Sequence, residues 1–391
     1  MEFSRKEKGD LPIIAICYDF DKTLSKTDMQ AQGFIQKECL YDDVKKFWEE
    51  TNKIAQENEM DQNLVWMLKM INNSRGRSYV TKMRLYAYGK NVELFPGVDT
   101  WFDRIKEYGE EKGVIIEHYI ISSGLKEMIE GTIVGEKFEK IYASSFYYDE
   151  SGVAIWPSQV INFTNKTQFL FRIEKGVLNI NDPAINEVFK PEDIRIPFRN
   201  MIYIGDSDTD VPCMKLINSR GGYSIGVYDP KTKDKNKVYK MMCDNRIKYF
   251  SPADYSKDSS LEKLVKKIID KTCANELLEN EYSICKNEVE KATKNSTKDD
   301  IERSNLLVKL DNSTSFANTH TVIAEMKNME WNKDEDLRVL FRISNSNNQI
   351  KYILNDYDVR NFLYPLLEKK LVSKDAKEIY EIYTKEKKTK Y

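Results

Sequence analysis

Histidine is nearly missing from this chain: His118 and His320 are the only two in 391 residues. That argues against a histidine-rich metal centre and against a histidine-based nucleophilic triad. The six cysteines, Cys17, Cys39, Cys213, Cys243, Cys273 and Cys285, form no C-x-x-C pair and no other zinc spacing. Cys17 lies in an apolar run and Cys213 in a predicted helix, where free cysteine behaves as a small hydrophobe. A reduced, cytoplasmic setting is the expectation. Charge of one sign is also lacking, with 61 basic against 63 acidic side chains and a formal net charge of -2. Nothing therefore draws the chain to nucleic acid or to an anionic membrane at long range, and no local basic patch stands out. No apolar run approaches the roughly 18 residues a membrane helix needs. Arg5, Lys6 and Lys8 precede the apolar Leu11–Cys17, as in a signal peptide. That run is short, however, and meets Asp19 and Asp21 at once with no small-residue cleavage pattern. It reads as a strand. Internal repeats and low-complexity tracts are absent.

What is present is a chain long enough for two or three domains and a sizeable core. Ile13–Tyr18 is short, continuous and rich in β-branched residues, the mark of a strand buried on both faces. Ile115–Ile121 reads as a second strand ending at Ser122-Ser123-Gly124, with a helix from about Leu125. Ile141–Tyr148 and Val153–Ile155, separated by Asp149-Glu150-Ser151-Gly152, read as a hairpin. Met201–Ile204 is another buried strand and Tyr223–Tyr228 a further one. Strands alternating with helices imply βαβ units, hence an α/β fold with a doubly wound parallel sheet. Residues 28–92 lack strand-like runs and carry helical spacing at Phe47, Trp48 and Ile54, then Leu64, Met67, Leu68 and Ile71. They are predicted to form a helical insertion. The catalytic core is then expected at 1–27 and 93–272, with a charged linker or exposed helix at 273–304. A small C-terminal α+β domain is expected at 305–391, with strands at Leu337–Ile343 and Ile350–Leu354 and helices at Val359–Leu367 and Ala376–Tyr383.

The chemistry concentrates at strand ends. Asp19-Phe20-Asp21-Lys22-Thr23 follows the first strand directly. Side chains at i and i+2 of an extended chain face the same way, so Asp19 and Asp21 can enter one site while Phe20 turns to the core. In open α/β sheets ligands collect outside the carboxyl ends of the strands. Gly205-Asp206-Ser207-Asp208-Thr209-Asp210 places carboxylates at another strand end, though acids also suit a helix N-terminus for its dipole alone. Between these lie Ser122, at the end of the second strand, and Lys166, opening a helix predicted at Lys166–Ile173. Taken singly, a serine after a strand or a lysine on a helix is usually structural.

The order Asp-x-Asp-x-Thr, strand-end Ser, Lys, Gly-Asp-x-x-x-Asp resembles the four motifs of the haloacid dehalogenase superfamily, over roughly residues 11–270. The resemblance implies a Rossmann-like core with a cap and a Mg²⁺-dependent phosphatase acting on a small phosphorylated metabolite through an aspartyl-phosphate. It implies Asp19 as nucleophile and Asp21 as general acid and base. Asp19, the backbone carbonyl of Asp21, and Asp206 would hold the metal. Ser122, Ser123 and nearby N–H groups, with Lys166, would hold the phosphoryl oxygens, and Thr23 and Asp210 would support the site. The physics agrees, since phosphoryl transfer is mostly positioning and electrostatic stabilisation, and Mg²⁺ prefers oxygen ligands.

Asp21 argues against dehalogenation, for superfamily dehalogenases lack the second aspartate. Asp21-Lys22-Thr23 echoes the P-type ATPases, but the membrane helices those need are absent. A helical insertion after the first motif resembles the cap of the phosphoserine-phosphatase-like branch. Asp28 falls where that branch carries a cap glutamate that meets the substrate, and it is equally placed to cap a helix. Ser122-Ser123-Gly124 stands where the branch has Ser-Gly-Gly. Arg75, Arg77 and Arg84 are candidates to read a second anionic group, though most such arginines are simply solvated. Trp48, Trp66, Trp101 and Trp156 read as packing residues rather than a base-stacking platform. A phosphomutase or other phosphotransferase remains the rival within the superfamily. A regulatory protein whose C-terminal domain carries the biology is the rival outside it. Phe362, Leu363, Leu366 and Leu367 suit either a protein contact or self-association of that domain, or else its own small core.

Overall fold

The structure, a computed structural model, describes residues 3–9, 11–294 and 297–388. They divide into two compact units, Met1–Glu279 and Asn280–Tyr391. In the first unit seven strands form one sheet: β1 (Ile13–Tyr18), β2 (Ile115–Leu125), β3 (Lys140–Tyr148), β4 (Ala154–Gln159), β5 (Met201–Gly205), β6 (Tyr223–Tyr228) and β7 (Tyr249–Pro252). Their spatial order is β4-β3-β2-β1-β5-β6-β7, with every neighbour parallel except the β3–β4 hairpin. β1 is therefore central, and the connections depart to opposite sides of it, which opens a crevice at its carboxyl end.

The period of two explains why β1 carries no polar residue. Ile14, Ile16 and Tyr18 enter the core on one face, while Ile13, Ala15 and Cys17 enter the core on the other. β5 divides likewise, with Ile202 and Ile204 on one side and Met201 and Tyr203 on the other. Helices cover both faces. In chain order, the insertion after β1 is helical: α1 (Phe34–Lys37), α2 (Val44–Glu57), α3 (Gln62–Ser74) and α4 (Lys82–Gly89). Next come α5 (Val98–Glu111), α6 (Lys126–Gly131), α7 (Thr167–Lys175), α8 (Val211–Ser219), α9 (Asn236–Cys243) and α10 (Ser260–Lys294). Trp101 and Phe102 of α5 and Leu261 and Val265 of α10 pack on one face of the sheet. Phe169 of α7, Met214 of α8 and Met241 of α9 pack on the other. The doubly wound parallel sheet and the helical insertion are as expected.

Three expectations need correction. β2 does not stop before Ser122 but runs to Leu125, with its pairing to β3 shifted between Ile121 and Leu125. Trp156 does not pack: it is 66% exposed on β4, whereas Trp66 and Trp101 are buried. The second unit, among its described residues, is helical and not α+β. It comprises α11 (Lys298–Asp311), α12 (Phe316–Met326), α13 (Asp334–Ser346), α14 (Asn348–Tyr352), α15 (Tyr357–Lys369) and α16 (Lys374–Lys388). The alternation of Leu337, Val339, Phe341 and Ile343 suggested a strand. The same segment also places Leu337, Leu340, Phe341 and Ser344 at i, i+3, i+4 and i+7, and all four are buried. Asp334, Glu335 and Asp336 in the first turn favour the helix through its dipole. The segment beginning at Ile350 is likewise helical, with the Asn347 side chain accepting from Gln349 N at 2.8 Å. Phe362, Leu363 and Leu367 lie in this unit's own core. The charged stretch from Lys286 continues α10 to Lys294, and Asn295 and Ser296 lie outside the described residues. Among the described residues no helix is long and apolar enough to cross a membrane.

His118 illustrates how the sheet face stays satisfied. The Trp101 Nε1–H donates to Tyr18 Oη at 2.8 Å. Tyr18 Oη lies 3.0 Å from His118 Nδ1, and His118 Nε2 lies 3.3 Å from the Phe102 carbonyl. A carbonyl only accepts, so the proton sits on Nε2 and the tyrosine donates to Nδ1. The ring is neutral, and burial pushes its pKa down to about 3. The unfolded ring, with a pKa of about 6.5, takes its proton first. The contribution of neutral His118 is thus complete above that pH and is lost as pH falls toward 3. Comparing wild type with His118→Gln by denaturant unfolding, the wild-type advantage should shrink by about 2 kcal/mol from pH 7 to pH 5. An advantage that does not change with pH would refute the neutral assignment.

Candidate active site

The carboxyl ends of β1, β2 and β5 deliver the first side chains. Asp19 follows β1 and is held in line by its amide, which donates to the Ile204 carbonyl at 3.0 Å. Ser122 lies in the irregular end of β2, where its hydroxyl accepts from Gly124 N at 3.1 Å. Asp206 follows Gly205, the last residue of β5. A Cβ at position 205 would come within 2.6 Å of Asp210 Oδ2, so glycine is what lets the Asp210 carboxylate fold back over the strand end.

Lys166 arrives from the other side of the sheet. An asparagine pair shapes the loop before α7: Asn162 Oδ1 accepts from Thr164 N at 2.9 Å, and Asn165 Oδ1 accepts from Asn162 N at 2.9 Å. This turn leaves Asn162, Phe163 and Thr164 on the cleft and sends Lys166 inward, where it is fully buried. Lys166 Nζ donates to Asp210 Oδ1 at 2.8 Å and lies 3.2 Å from Asp19 Oδ1. The second approach is an ion pair outside hydrogen-bonding geometry, so Asp19 Oδ1 is buried with no hydrogen-bond partner. Burial works against the Lys166 charge, yet Asp19 and Asp210 together raise its pKa and keep it an ammonium.

Asp210 is fully engaged. Its Oδ1 also accepts from Tyr203 Oη at 2.9 Å, and its Oδ2 accepts from Ser207 N at 3.2 Å and Ser207 Oγ at 3.1 Å. Asp19, Asp206 and Asp210 each offer one oxygen within 4.8 Å of the others. Burial, with Asp210 as a like charge, pushes Asp19 up to about 6, against the opposing pull of Lys166. Burial likewise pushes Asp206 up to about 7, although Lys237 at 3.4 Å pulls it back. An orphaned carboxylate oxygen and converging acids with raised pKa values form a donor set that suits a hard divalent cation.

Asp21 is half-buried beside them. Its Oδ1 accepts from Met29 N at 2.8 Å, and burial, followed by Asp28 and Asp19, holds its pKa well above the usual carboxylate range. Gly124 makes room for it, because a Cβ there would lie 2.9 Å from Asp21 Oδ2. Lys22 has a left-handed backbone, φ 58°, and pairs with Asp28 at 2.9 Å. Asp28 makes no side-chain cap on the short helix it precedes and lines the cleft instead. Thr23 is buried away from the cleft, its hydroxyl unpartnered and its carbonyl accepting from Tyr255 Oη at 2.9 Å.

These groups open on a cleft of about 730 Å³ between the helical insertion and the sheet. Asp19, Asp21, Asp28, Ser122, Ser123 and Asp206 line it, with Lys166 and Asp210 directly behind. Arg75, Arg77 and Arg84 do not line it, and Arg84 is bound to Glu38. Sequence reasoning missed Gln56, Asp61, Asn162, Phe163 and Lys237. Only Asn162 carried a signal, in the Asn-Phe-Thr-Asn turn cluster before a helix.

The sequence matches the family model described as haloacid dehalogenase-like hydrolase over residues 16–215, just over half of the chain. The chain belongs to that family. The matched span takes this hydrolase from β1 through the Asp206–Asp210 segment into α8, and so contains every residue of the acidic cluster. A curated relative from Borreliella burgdorferi, an uncharacterised protein, is 27% identical over 289 residues, covering 67% of this chain and 97% of its own. A solved haloacid dehalogenase family hydrolase from Salmonella enterica serovar Typhi aligns at 19% identity and TM-score 0.40, covering 58% of this chain and 68% of its own. A phosphoserine phosphatase solved as a phospho-aspartyl intermediate analogue aligns at 14% identity and TM-score 0.39, covering 67% of this chain and 99% of its own.

Proposed function

We propose that this hydrolase is a phosphatase that cleaves a small phosphate monoester by way of Asp19, in the manner of the phosphoserine-phosphatase-like branch. The observation that carries this reading is the buried Lys166 ammonium set between Asp19 and Asp210, with Asp206 within reach of both carboxylates. A cation locked behind a carboxylate neutralises charge where a dianionic phosphoryl group would arrive. The Asp19 carboxylate attacks phosphorus and becomes an aspartyl-phosphate as the P–O bond to the leaving alcohol breaks, and the alcohol oxygen takes a proton from Asp21. Asp21 is suited to that task because its raised pKa keeps it protonated closer to neutrality than an ordinary carboxyl. It then receives a proton from the water that frees phosphate. Ser122 and Ser123, at the end of β2, supply donors to the phosphoryl oxygens.

Asp19, Asp206 and the backbone carbonyl of Asp21 would hold Mg²⁺, with Asp210 positioning Lys166 rather than binding metal, since both its oxygens are already engaged. The ion would supply charge compensation for the phosphoryl oxygens and pull the Asp19 and Asp206 carboxyls to their ionised forms. Release of inorganic phosphate from p-nitrophenyl phosphate should vanish in EDTA and return with Mg²⁺. Ca²⁺ should restore it poorly, because its longer and looser coordination spoils in-line geometry. Undiminished turnover in chelator would refute the metal assignment.

A further inference from the structure

Given the phosphatase reading above, we propose that Tyr203 is a positioning residue that sets how the Lys166 ammonium is shared between Asp19 and Asp210. Tyr203 lies on β5 and does not line the cleft. The alternation of the strand turns it to the same face as Met201, where it is fully buried. Its ring carries the hydroxyl past the end of β5 at Gly205, where the Asp210 carboxylate folds back, and the hydroxyl donates to Asp210 Oδ1 at 2.9 Å. A phenylalanine would fill the same space, so packing alone does not call for the hydroxyl. Burial, followed by the Asp210 charge, holds the Tyr203 pKa well above its ordinary value, and the phenol stays a donor.

The consequence follows from counting donors. Asp210 Oδ1 takes the Lys166 ammonium at 2.8 Å and the Tyr203 phenol at 2.9 Å, while Oδ2 takes Ser207 N and Ser207 Oγ. An ionised carboxyl has room for about four such bonds, so Asp210 is saturated. Lys166 meanwhile stands between two carboxylates, 2.8 Å from Asp210 Oδ1 and 3.2 Å from Asp19 Oδ1, and the latter oxygen is buried with no hydrogen-bond partner. Without the phenol, Asp210 Oδ1 would turn its charge on Lys166 alone and draw the ammonium away from Asp19. With it, part of that charge goes to a neutral donor fixed by the sheet. The ammonium is left poised beside Asp19, where negative charge shifts between the carboxylate and the phosphoryl group. Ser207 cannot do the same, because both its donors hold the other oxygen of Asp210.

The test uses the full chain with Mg²⁺ and p-nitrophenyl phosphate. Tyr203→Phe keeps the ring and leaves Asp210 bonded to Lys166 and Ser207, so the fold should persist, as a thermal melt checks. We expect kcat to fall about tenfold, the scale of one hydrogen bond to a charged group, with KM within about twofold of wild type because Tyr203 does not line the cleft. A second readout needs no turnover: the calorimetric affinity for beryllofluoride with Mg²⁺, which stands in for the phosphoryl group on Asp19. That affinity should weaken by a similar factor in Tyr203→Phe. It should weaken by less than about twofold when the same change is made in Asp210→Asn, where no carboxylate charge remains for the phenol to share. An unchanged kcat, a loss confined to KM, or an equal loss of affinity in both backgrounds would each overturn the positioning role while the phosphatase reading stands. If wild type neither hydrolyses the ester nor binds beryllofluoride, that reading falls and this inference with it.

Discussion

Asp19→Asn should abolish ester hydrolysis, by about a thousandfold or more, while leaving the fold intact. An amide is nearly the shape of a carboxylate but is no nucleophile and a weaker metal ligand. The structure also explains why the fold should survive. Asp19 Oδ1 is buried without a hydrogen-bond partner, and burial, with Asp210 as a like charge, already pushes the Asp19 carboxyl up to about 6. Removing that charge relieves a repulsion at the same time as it weakens the pairing with Lys166. The two effects oppose, so the net change should stay within about 1 kcal/mol, or ~2–4 °C in melting temperature for a unit of this size. Turnover and thermal melting measured side by side decide the matter. Retention of roughly a tenth of wild-type activity would mean that another group is the nucleophile.

Lys166→Met should do the opposite and damage the fold itself. It removes the buried ammonium between Asp19 and Asp210 and leaves the two carboxyls facing each other, and breaking one side of a buried pair costs about 3–5 kcal/mol. Lys166 is also what restrains the upward shift of Asp19. Without it the folded-state pKa of Asp19 climbs further above the unfolded value of about 3.9. A carboxyl raised in the folded state destabilises that state progressively as pH rises above the unfolded pKa. The penalty should therefore be larger at pH 8 than at pH 5. Adding Asp210→Asn to Lys166→Met should recover part of the loss, since Tyr203 can still donate to an amide oxygen. Chemical denaturation of the two single variants and the double variant at both pH values provides the cycle. A penalty that is independent of pH would show that the lost term is packing and not charge.

The parts of this architecture that could be read from the sequence are those in which a local pattern and the tertiary environment agree. β1 was legible because Ile-Ile-Ala-Ile-Cys-Tyr has nothing polar to place on either face, and the structure buries both. Asp19 and Asp206 could be placed near one another because each directly follows a strand of this kind, and Ser122 because it follows the apolar run of β2. β7 escaped notice. Tyr-Phe-Ser-Pro is too short to show a period and joins the sheet only through β6. α13 was misread because Leu337–Ile343 satisfies the alternating and the helical pattern together, and only the acids before it and the buried Ser344 break the tie. The walls of the cleft were hidden for a different reason. Gln56 and Lys237 lie on separate helices, α2 and α9, and nothing in their immediate neighbourhoods records that the fold brings both to the same opening.

The central place of β1 has a consequence for biogenesis. It is synthesised well before its two neighbours in the sheet, β2 and β5, and β5 follows it by most of the length of the first unit. Until both are synthesised, this strand of apolar residues has two open edges and two uncovered faces. Such a segment has the composition of an aggregation nucleus. Arg5, Lys6 and Lys8 before it and Asp19 and Asp21 after it then serve the nascent chain as flanking gatekeepers, before any of them contributes to the finished molecule.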